Sequence, residues 1–155
     1  GLASPYPEVR FQCAGTLVDV LGNDAEEPLA DALGREEEEE VRRGLCEGLA
    51  RIDNPSPSTV ERLKTLIADD TIDLDTLFPA AISLTAARSG DAAPTLLRAL
   101  GKPELRDRAL EALAVLGAQA PEEAVQPIRD LATSWLKPRV TRVRAAYALA
   151  LDMDS

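Results

Sequence analysis

Apolar residues recur along this chain with the spacing of amphipathic helices, and one arrangement returns several times. Apolar positions at i, i+3, i+4 and i+7 place one face of a helix in a core, so each stretch predicts a helix. Four stretches have Arg in second place, and they read VRFQCAGTLVDVLG, VRRGLCEGLARI, LRDRALEALAVLG and TRVRAAYALAL. A fifth, TLFPAAISLTAARSG, has Leu77 instead of Arg. All five share a Leu, at positions separated by 32, 35, 29 and 36 residues: Leu17, Leu49, Leu84, Leu113 and Leu149.

Shorter helical segments lie between these stretches, at 24–33, 58–68, 91–100 and 121–136. Residues suited to cap helix starts precede or open three of them: Asp24, Ser58 and Asp91. The four stretches with Arg also share a small or apolar residue three positions before the common Leu: Ala14, Cys46, Leu110 and Ala146. The repeating unit is therefore a short helix, a tight turn and a second helix. One such pair cannot bury its apolar face alone, whereas stacked pairs bury a continuous core, so the pattern predicts an all-α solenoid.

Two segments are the clearest copies of the unit, DAEEPLADALGREEEEEVRRGLCEGLARI and DAAPTLLRALGKPELRDRALEALAVLG. They resemble the HEAT-repeat family, particularly the short repeats of the phycobilisome lyase type. The resemblance implies a right-handed α-solenoid of stacked antiparallel helix pairs, about four and a half repeats long. It implies one domain over residues 1–155, divided into the second helix of a first repeat and four full repeats: 7–22, 23–53, 54–89, 90–118 and 119–152. The repeat 54–89 departs most, because it contains Pro79 and lacks the Arg.

Composition removes most catalytic chemistry from consideration. The 155 residues include no His, which excludes the commonest general base and metal ligand. Cys13 and Cys46 are too few for a disulfide framework or a Cys-based zinc site, and we expect them to be small buried apolar residues. We therefore expect no catalytic, cofactor-binding or metal-binding residue and no cofactor. No apolar run, signal peptide or lipidation motif indicates a membrane, so a soluble cytoplasmic protein is expected.

The charge of the chain is unevenly distributed. The net charge is −10, and residues 1–77 hold seven basic and 18 acidic residues, which gives −11 for that part. Residues 78–155 hold ten basic and nine acidic residues. Such a field repels phosphate backbones, so no nucleic-acid partner is expected. The asymmetry predicts head-to-tail self-association that salt would dissolve, while adaptation to salt is the alternative explanation of the acidity.

The first candidate for partner binding is a run of acids at the predicted start of a helix: Glu36, Glu37, Glu38, Glu39 and Glu40. A solvated helix start explains such a run, because the helix dipole stabilises acids there. Capture of a basic partner segment is the functional alternative, and divalent-cation binding is the weaker one. A second acidic segment, DDTIDLD (69–75), is interpreted as helix capping and loop solvation rather than a calcium site.

The second candidate is the one basic patch, which consists of Trp135, Lys137, Arg139, Arg142 and Arg144. Trp135 is expected either as a buried anchor between the last helices or as part of a protein contact, since Trp and Arg are enriched at interface hot spots. The repeated arginines, Arg10, Arg42, Arg106 and Arg142, pose a similar choice. Each either bonds carbonyls or an acid of a neighbouring turn, or joins a basic row that grips an acidic ligand.

Together these features predict a non-catalytic scaffold that binds protein partners through an extended acidic solenoid surface. The alternative, implied by the lyase-type resemblance, is an accessory subunit of a tetrapyrrole-handling enzyme. Tetrapyrrole absorbance in the purified protein discriminates between the two functions.

Overall fold

A computed structural model describes residues 1–117, 122, 125–126, 129–130 and 139–153, with side chains omitted at 139–142 and 151–153. Helices dominate these residues, and no strand occurs among them. The helices are α1 (Pro7–Leu21), α2 (Glu26–Leu33), α3 (Glu39–Leu49), α4 (Pro57–Ile67), α5 (Leu74–Ala86), α6 (Ala93–Ala99), α7 (Pro103–Leu116) and α8 (Arg139–Met153). Short 3-10 turns precede α2 and α6, at Gly22–Ala25 and Gly90–Ala92. The all-α, HEAT-like repeat fold predicted from the sequence is confirmed.

The chain divides into two compact units, Gly1–Ala87 and Arg88–Ser155. In the first unit, α3 packs between α1 and α5, while α2 packs on α3 and α4 packs on α5. In the second unit, α7 packs against both α6 and α8. The repeat 54–89 thus forms a helix pair although Pro79 lies buried within α5. The boundaries of the individual repeats stay a prediction.

Local sequence explains where the helices begin and end. Ser56 accepts a hydrogen bond from the Thr59 N–H at 3.4 Å and caps α4, whose first residue is proline. Asp73 caps α5 in the same way. Four residues with positive φ lie beyond the ends of α1, α3, α5 and α7, respectively: Gly22 (55°), Asn54 (53°), Arg88 (55°) and Gly117 (52°). Each second helix of a pair is therefore followed by a residue with positive φ, at which the chain changes direction.

Contacts in the first unit repeat at the period of the sequence. Arg62 donates to the Ala30 carbonyl at 3.0 Å and to Asp31 at 2.8 Å. The buried Ser83 hydroxyl donates to the Leu49 carbonyl at 3.3 Å, 34 residues earlier. Because both contacts join positions about one repeat apart, they hold consecutive helix pairs together. Within the described part of the chain, no helix combines the length and apolar character of a membrane span.

Candidate functional site

The turn between α2 and α3 is built around the carboxylate of Glu36. Arg10 of α1 donates to both oxygens, from Nε to Oε2 at 2.8 Å and from Nη2 to Oε1 at 2.9 Å. The backbone N–H groups of Glu37 and Glu38 donate to Oε1 as well, and the Glu36 side chain is only 7% exposed. The hydrogen bond from Arg10 is the main reason why the pKa of Glu36 is lowered. Glu36 therefore fixes the turn rather than facing solvent.

Three repeat arginines hold the turn that precedes their own helix. Arg10 donates to the Ser4 carbonyl at 2.9 Å, Arg42 to the Glu36 carbonyl at 2.7 Å, and Arg106 to the Leu100 carbonyl at 2.9 Å. In each case the acceptor lies six residues before the Arg. A guanidinium suits this task, since its donors point in several directions at once. The interpretation of these arginines as partners of turn carbonyls is confirmed for all three.

The other four glutamates of the run are exposed at the start of α3. Glu39 and Glu40 occupy its first turn, where the helix dipole favours negative charge. Glu40 pairs loosely with Arg43 at 3.5 Å, and both side chains are well exposed, so this pair neutralises the run only weakly. The run presents its negative charge to solvent.

A second acidic segment lies against this run. The Asp73 N–H donates to Glu39 Oε1 at 3.5 Å, while the Asp73 carboxylate accepts the Thr76 N–H at 2.8 Å. The hydrogen bond between the two carboxyl groups raises the pKa of Glu39 and lowers that of Asp73. Asp69 accepts from the Thr71 N–H and hydroxyl, as expected for a capped loop. We call the combined surface the acidic edge: Glu37, Glu38, Glu39, Glu40, Asp69, Asp70, Asp73 and Asp75.

Two clefts adjoin the Glu36 turn. A cleft of about 450 Å³ lies toward the N-terminal segment and is lined by Ser4, Arg10 and Arg35 among others. A second, of about 320 Å³, lies toward α4 and is lined by both Arg42 and Arg62 over an apolar floor. Asp69 lines the second cleft, which therefore borders the acidic edge.

The comparison with known families bears on most of the first unit. A family model described as HEAT repeats matches residues 1–76, which include α1 to α4, the acidic run and the Glu36 turn. This segment of the chain is similar to HEAT repeats. No curated protein matches the sequence. The acidic edge thus lies at the turns within two consecutive HEAT-like helix pairs, α2–α3 and α4–α5.

The predicted basic patch is only partly within the described residues. Trp135 and Lys137 lie outside them, as do the side chains of Arg139 and Arg142 in α8. Arg144 is described, and its guanidinium pairs with Asp107 at 3.0 Å and Glu111 at 2.9 Å, both on α7. Its charge is therefore shared with two acids of the neighbouring helix.

Sequence reasoning missed two features beside the HEAT-repeat turns, the meeting of the two acidic segments and the cleft at Arg42. The first feature could have been predicted from the sequence, because Glu39 and Asp73 are 34 residues apart, which is the length of about one repeat. Among the described residues, no group of three or more Cys, Asp or Glu is arranged to hold a metal ion. Burial raises the pKa of the Cys46 thiol to about 12, which suits a buried apolar residue.

Proposed function

We propose that this protein is a non-catalytic scaffold that binds a basic segment of a partner protein at its acidic edge. The observation behind the proposal is the contact between Glu39 and Asp73, which joins acidic segments from two consecutive repeats. The negative charges of both segments therefore lie on one surface, and a cationic side chain placed there is attracted by both segments. HEAT repeats commonly mediate contacts between proteins, and the match to that family over residues 1–76 supports the proposal.

The charge of the first unit supports a basic partner. Residues Gly1–Ala87 contain seven basic and 18 acidic residues, a net charge of −11. Several of the acids are neutralised locally, as Glu36 is by Arg10 and Asp31 is by Arg62. The exposed Glu37 and Glu38 form no ion pair within the described residues. A field of this sign would speed the approach of a cationic segment and make its binding sensitive to salt.

A titration with a labelled peptide tests this function. The probe is a nonapeptide of lysine and alanine that ends in leucinamide, and fluorescence anisotropy measures its binding at several NaCl concentrations. We expect the triple variant Glu37→Gln/Glu38→Gln/Glu39→Gln to weaken binding by roughly tenfold, since exposed ion pairs contribute about 0.2–1 kcal/mol each.

A second triple variant gives the matched control. Asp24→Asn/Glu27→Gln/Asp53→Asn removes the same number of exposed charges from positions outside the acidic edge. We expect it to leave the affinity within about twofold, apart from the small loss of long-range attraction. Equal losses in the two triple variants would contradict a localised site, and no binding at low salt would contradict the function.

Two earlier expectations stay predictions. If the protein associates head to tail, sedimentation at low salt should show oligomers that dissociate as the salt concentration increases. A monomer at every salt concentration would contradict this prediction. The lyase-type accessory role requires tetrapyrrole absorbance in the protein purified from its own cells.

A further inference from the structure

We propose that the cleft at Arg42 binds the terminal carboxylate of the basic partner segment, whose last side chain is apolar. This inference rests on the proposed function and specifies its ligand. The segment would be the C-terminal tail of a partner, with its lysines or arginines on the acidic edge and its end in the cleft.

Arg42 supplies the anion-binding group. Its Nε donates to the Glu36 carbonyl at 2.7 Å, which anchors the half-buried guanidinium at the wall of the cleft. Within the part of the chain that the structure describes, Nη1 and Nη2 have no hydrogen-bond partner. Two adjacent NH₂ groups on a planar guanidinium can bind both oxygens of one carboxylate.

The other charged groups of the cleft are already occupied. The Glu36 carboxylate is held by Arg10, and the Asp69 carboxylate accepts both donors of Thr71. Arg62 donates to the Ala30 carbonyl and to Asp31. Arg42 is therefore the lining arginine with both NH₂ groups left for a ligand, and among the residues that the structure describes it forms no salt bridge.

The floor of the cleft is apolar. It consists of Leu33 and Ile72, each 7% exposed, and the half-buried Leu66. A volume of about 320 Å³ is at the lower end of the range for ligand pockets, which is about 300–1,000 Å³. A single apolar side chain beside a carboxylate suits this combination of one free guanidinium and an aliphatic floor.

The two surfaces adjoin at Asp69, which lines the cleft and belongs to the acidic edge. A free anion alone would be disfavoured near a unit with a net charge of −11. A C-terminal tail avoids this penalty, because its basic residues offset the repulsion while its single carboxylate reaches Arg42. The guanidinium of Arg42 thus favours a basic tail with a free end over an internal basic segment, which has no carboxylate to offer it.

The test compares two forms of one probe on the intact chain. The lysine–alanine nonapeptide ending in leucine is titrated with a free α-carboxylate and as its amide, and anisotropy gives both affinities. We expect the free acid to bind about tenfold more tightly, in line with a charge-assisted bidentate contact. A third probe in which the final leucine is replaced by glycine should lose affinity as well, since it leaves the floor uncovered.

Variants assign the preference to the cleft. Arg42→Gln should bind the two forms within about twofold of one another, because it removes the guanidinium. Arg106→Gln is the matched control, since Arg106 makes the same type of bond to a carbonyl six residues earlier. It should keep the tenfold preference, and circular dichroism should show that both variants are folded.

The outcomes separate the two proposals. If the acid and the amide bind the original chain equally well and both bind in a salt-dependent way, the proposed function stands and the carboxylate site is wrong. If neither form binds at low salt, the proposed function and this inference both fail. A preference for the free acid that persists in Arg42→Gln also overturns the assignment to this cleft.

Discussion

The ring of Phe11 in α1 lies directly against the backbone of Gly44 in α3. A methyl group on Gly44 would lie 2.6 Å from Phe11 Cδ2 and 2.8 Å from Cε2, which is closer than carbon atoms approach one another. The next glycine on the same face, Gly48, is less confined, since a methyl group there would lie 3.1 Å from Leu29 Cδ1 and 3.4 Å from Val18 Cγ2. Gly44 therefore permits the close approach of α1 and α3.

We therefore predict that Gly44→Ala destabilises the protein although alanine is the better helix former. Replacing glycine by alanine within a helix contributes about 1 kcal/mol, and displacing a packed ring costs about 1–3 kcal/mol, so we expect a net loss of about 1 kcal/mol. The free energy of unfolding from urea denaturation measures it.

Gly15→Ala is the matched control for this prediction. Gly15 lies inside α1, and a methyl group there would meet no atom within 4 Å. The control should therefore raise the free energy of unfolding by about 0.5–1 kcal/mol. If Gly44→Ala also raised the free energy of unfolding, the ring of Phe11 would move aside at no energetic cost, which would contradict the prediction.

The helix-pair architecture could be predicted because apolar spacing and repeat length are local properties of the chain. Predictions failed where neighbouring residues compete for one role. Ser58 was expected to cap α4, but Ser56 does so because Pro57 suits the first helical position. The alignment of repeats places Ala146 with the buried Ala14, Cys46 and Leu110. In the structure, however, Ala145 and Ala148 are buried and Ala146 is exposed. The register of the last copy is thus one residue earlier than the alignment of repeats predicts.

The candidate site was predictable in composition but not in arrangement. The run at Glu36–Glu40 appeared as one uniform feature, whereas the structure separates Glu36 from the rest by pairing it with Arg10. That pairing depends on a contact across 26 residues, which charge patterning along the chain does not contain. The joining of Glu39 to Asp73 likewise depends on how one helix pair stacks on the next.

The pair of Arg10 and Glu36 should contribute measurably to stability. We expect Glu36→Gln to lower the free energy of unfolding by about 1 kcal/mol, since this charge-assisted hydrogen bond is only partly buried. In a double-mutant cycle with Arg10→Gln, the two losses should add to more than the loss in the double variant, because both remove the same contact. Glu37→Gln, at the exposed neighbour, should change stability by less than about 0.5 kcal/mol.

The same pair predicts a pH dependence. Because the pKa of Glu36 is lower in the folded state, the unfolded chain binds the proton first as pH falls. The contribution of Glu36 to stability is therefore complete above its pKa in the unfolded chain, about 4.3, and is lost as pH falls through its pKa in the folded state. The difference in stability between the unaltered chain and Glu36→Gln should shrink at acid pH. A difference that stays constant from pH 7 to pH 3 would contradict the assignment.

The two thiols should differ in reactivity. Cys46 is fully buried in α3 and its pKa is raised to about 12, whereas Cys13 in α1 is half-buried. Since the thiolate is the reactive species, we expect Cys13→Ser to show no reaction with a disulfide reagent until the protein is unfolded in urea. Cys46→Ser, which keeps Cys13, should react in the folded state. Rapid labelling of the folded Cys13→Ser variant would contradict this prediction and would show that α3 unfolds locally with ease.

Arg88, which lies just beyond the C-terminal end of α5, stores backbone strain that glycine would relieve. Arg88 has a φ of +55°, a conformation that costs an L-residue about 1–2 kcal/mol, while glycine adopts it freely. The greater freedom of glycine in the unfolded chain returns about 0.4–1 kcal/mol, so Arg88→Gly should raise the free energy of unfolding by about 0.5–1 kcal/mol. Arg88→Ala keeps the Cβ atom and should bring no such gain. Gly22→Ala should have the opposite effect, because Gly22 has the same φ of +55° and alanine would introduce the strain. Equal stabilities of the glycine and alanine variants at position 88 would show that the backbone there relaxes at no cost.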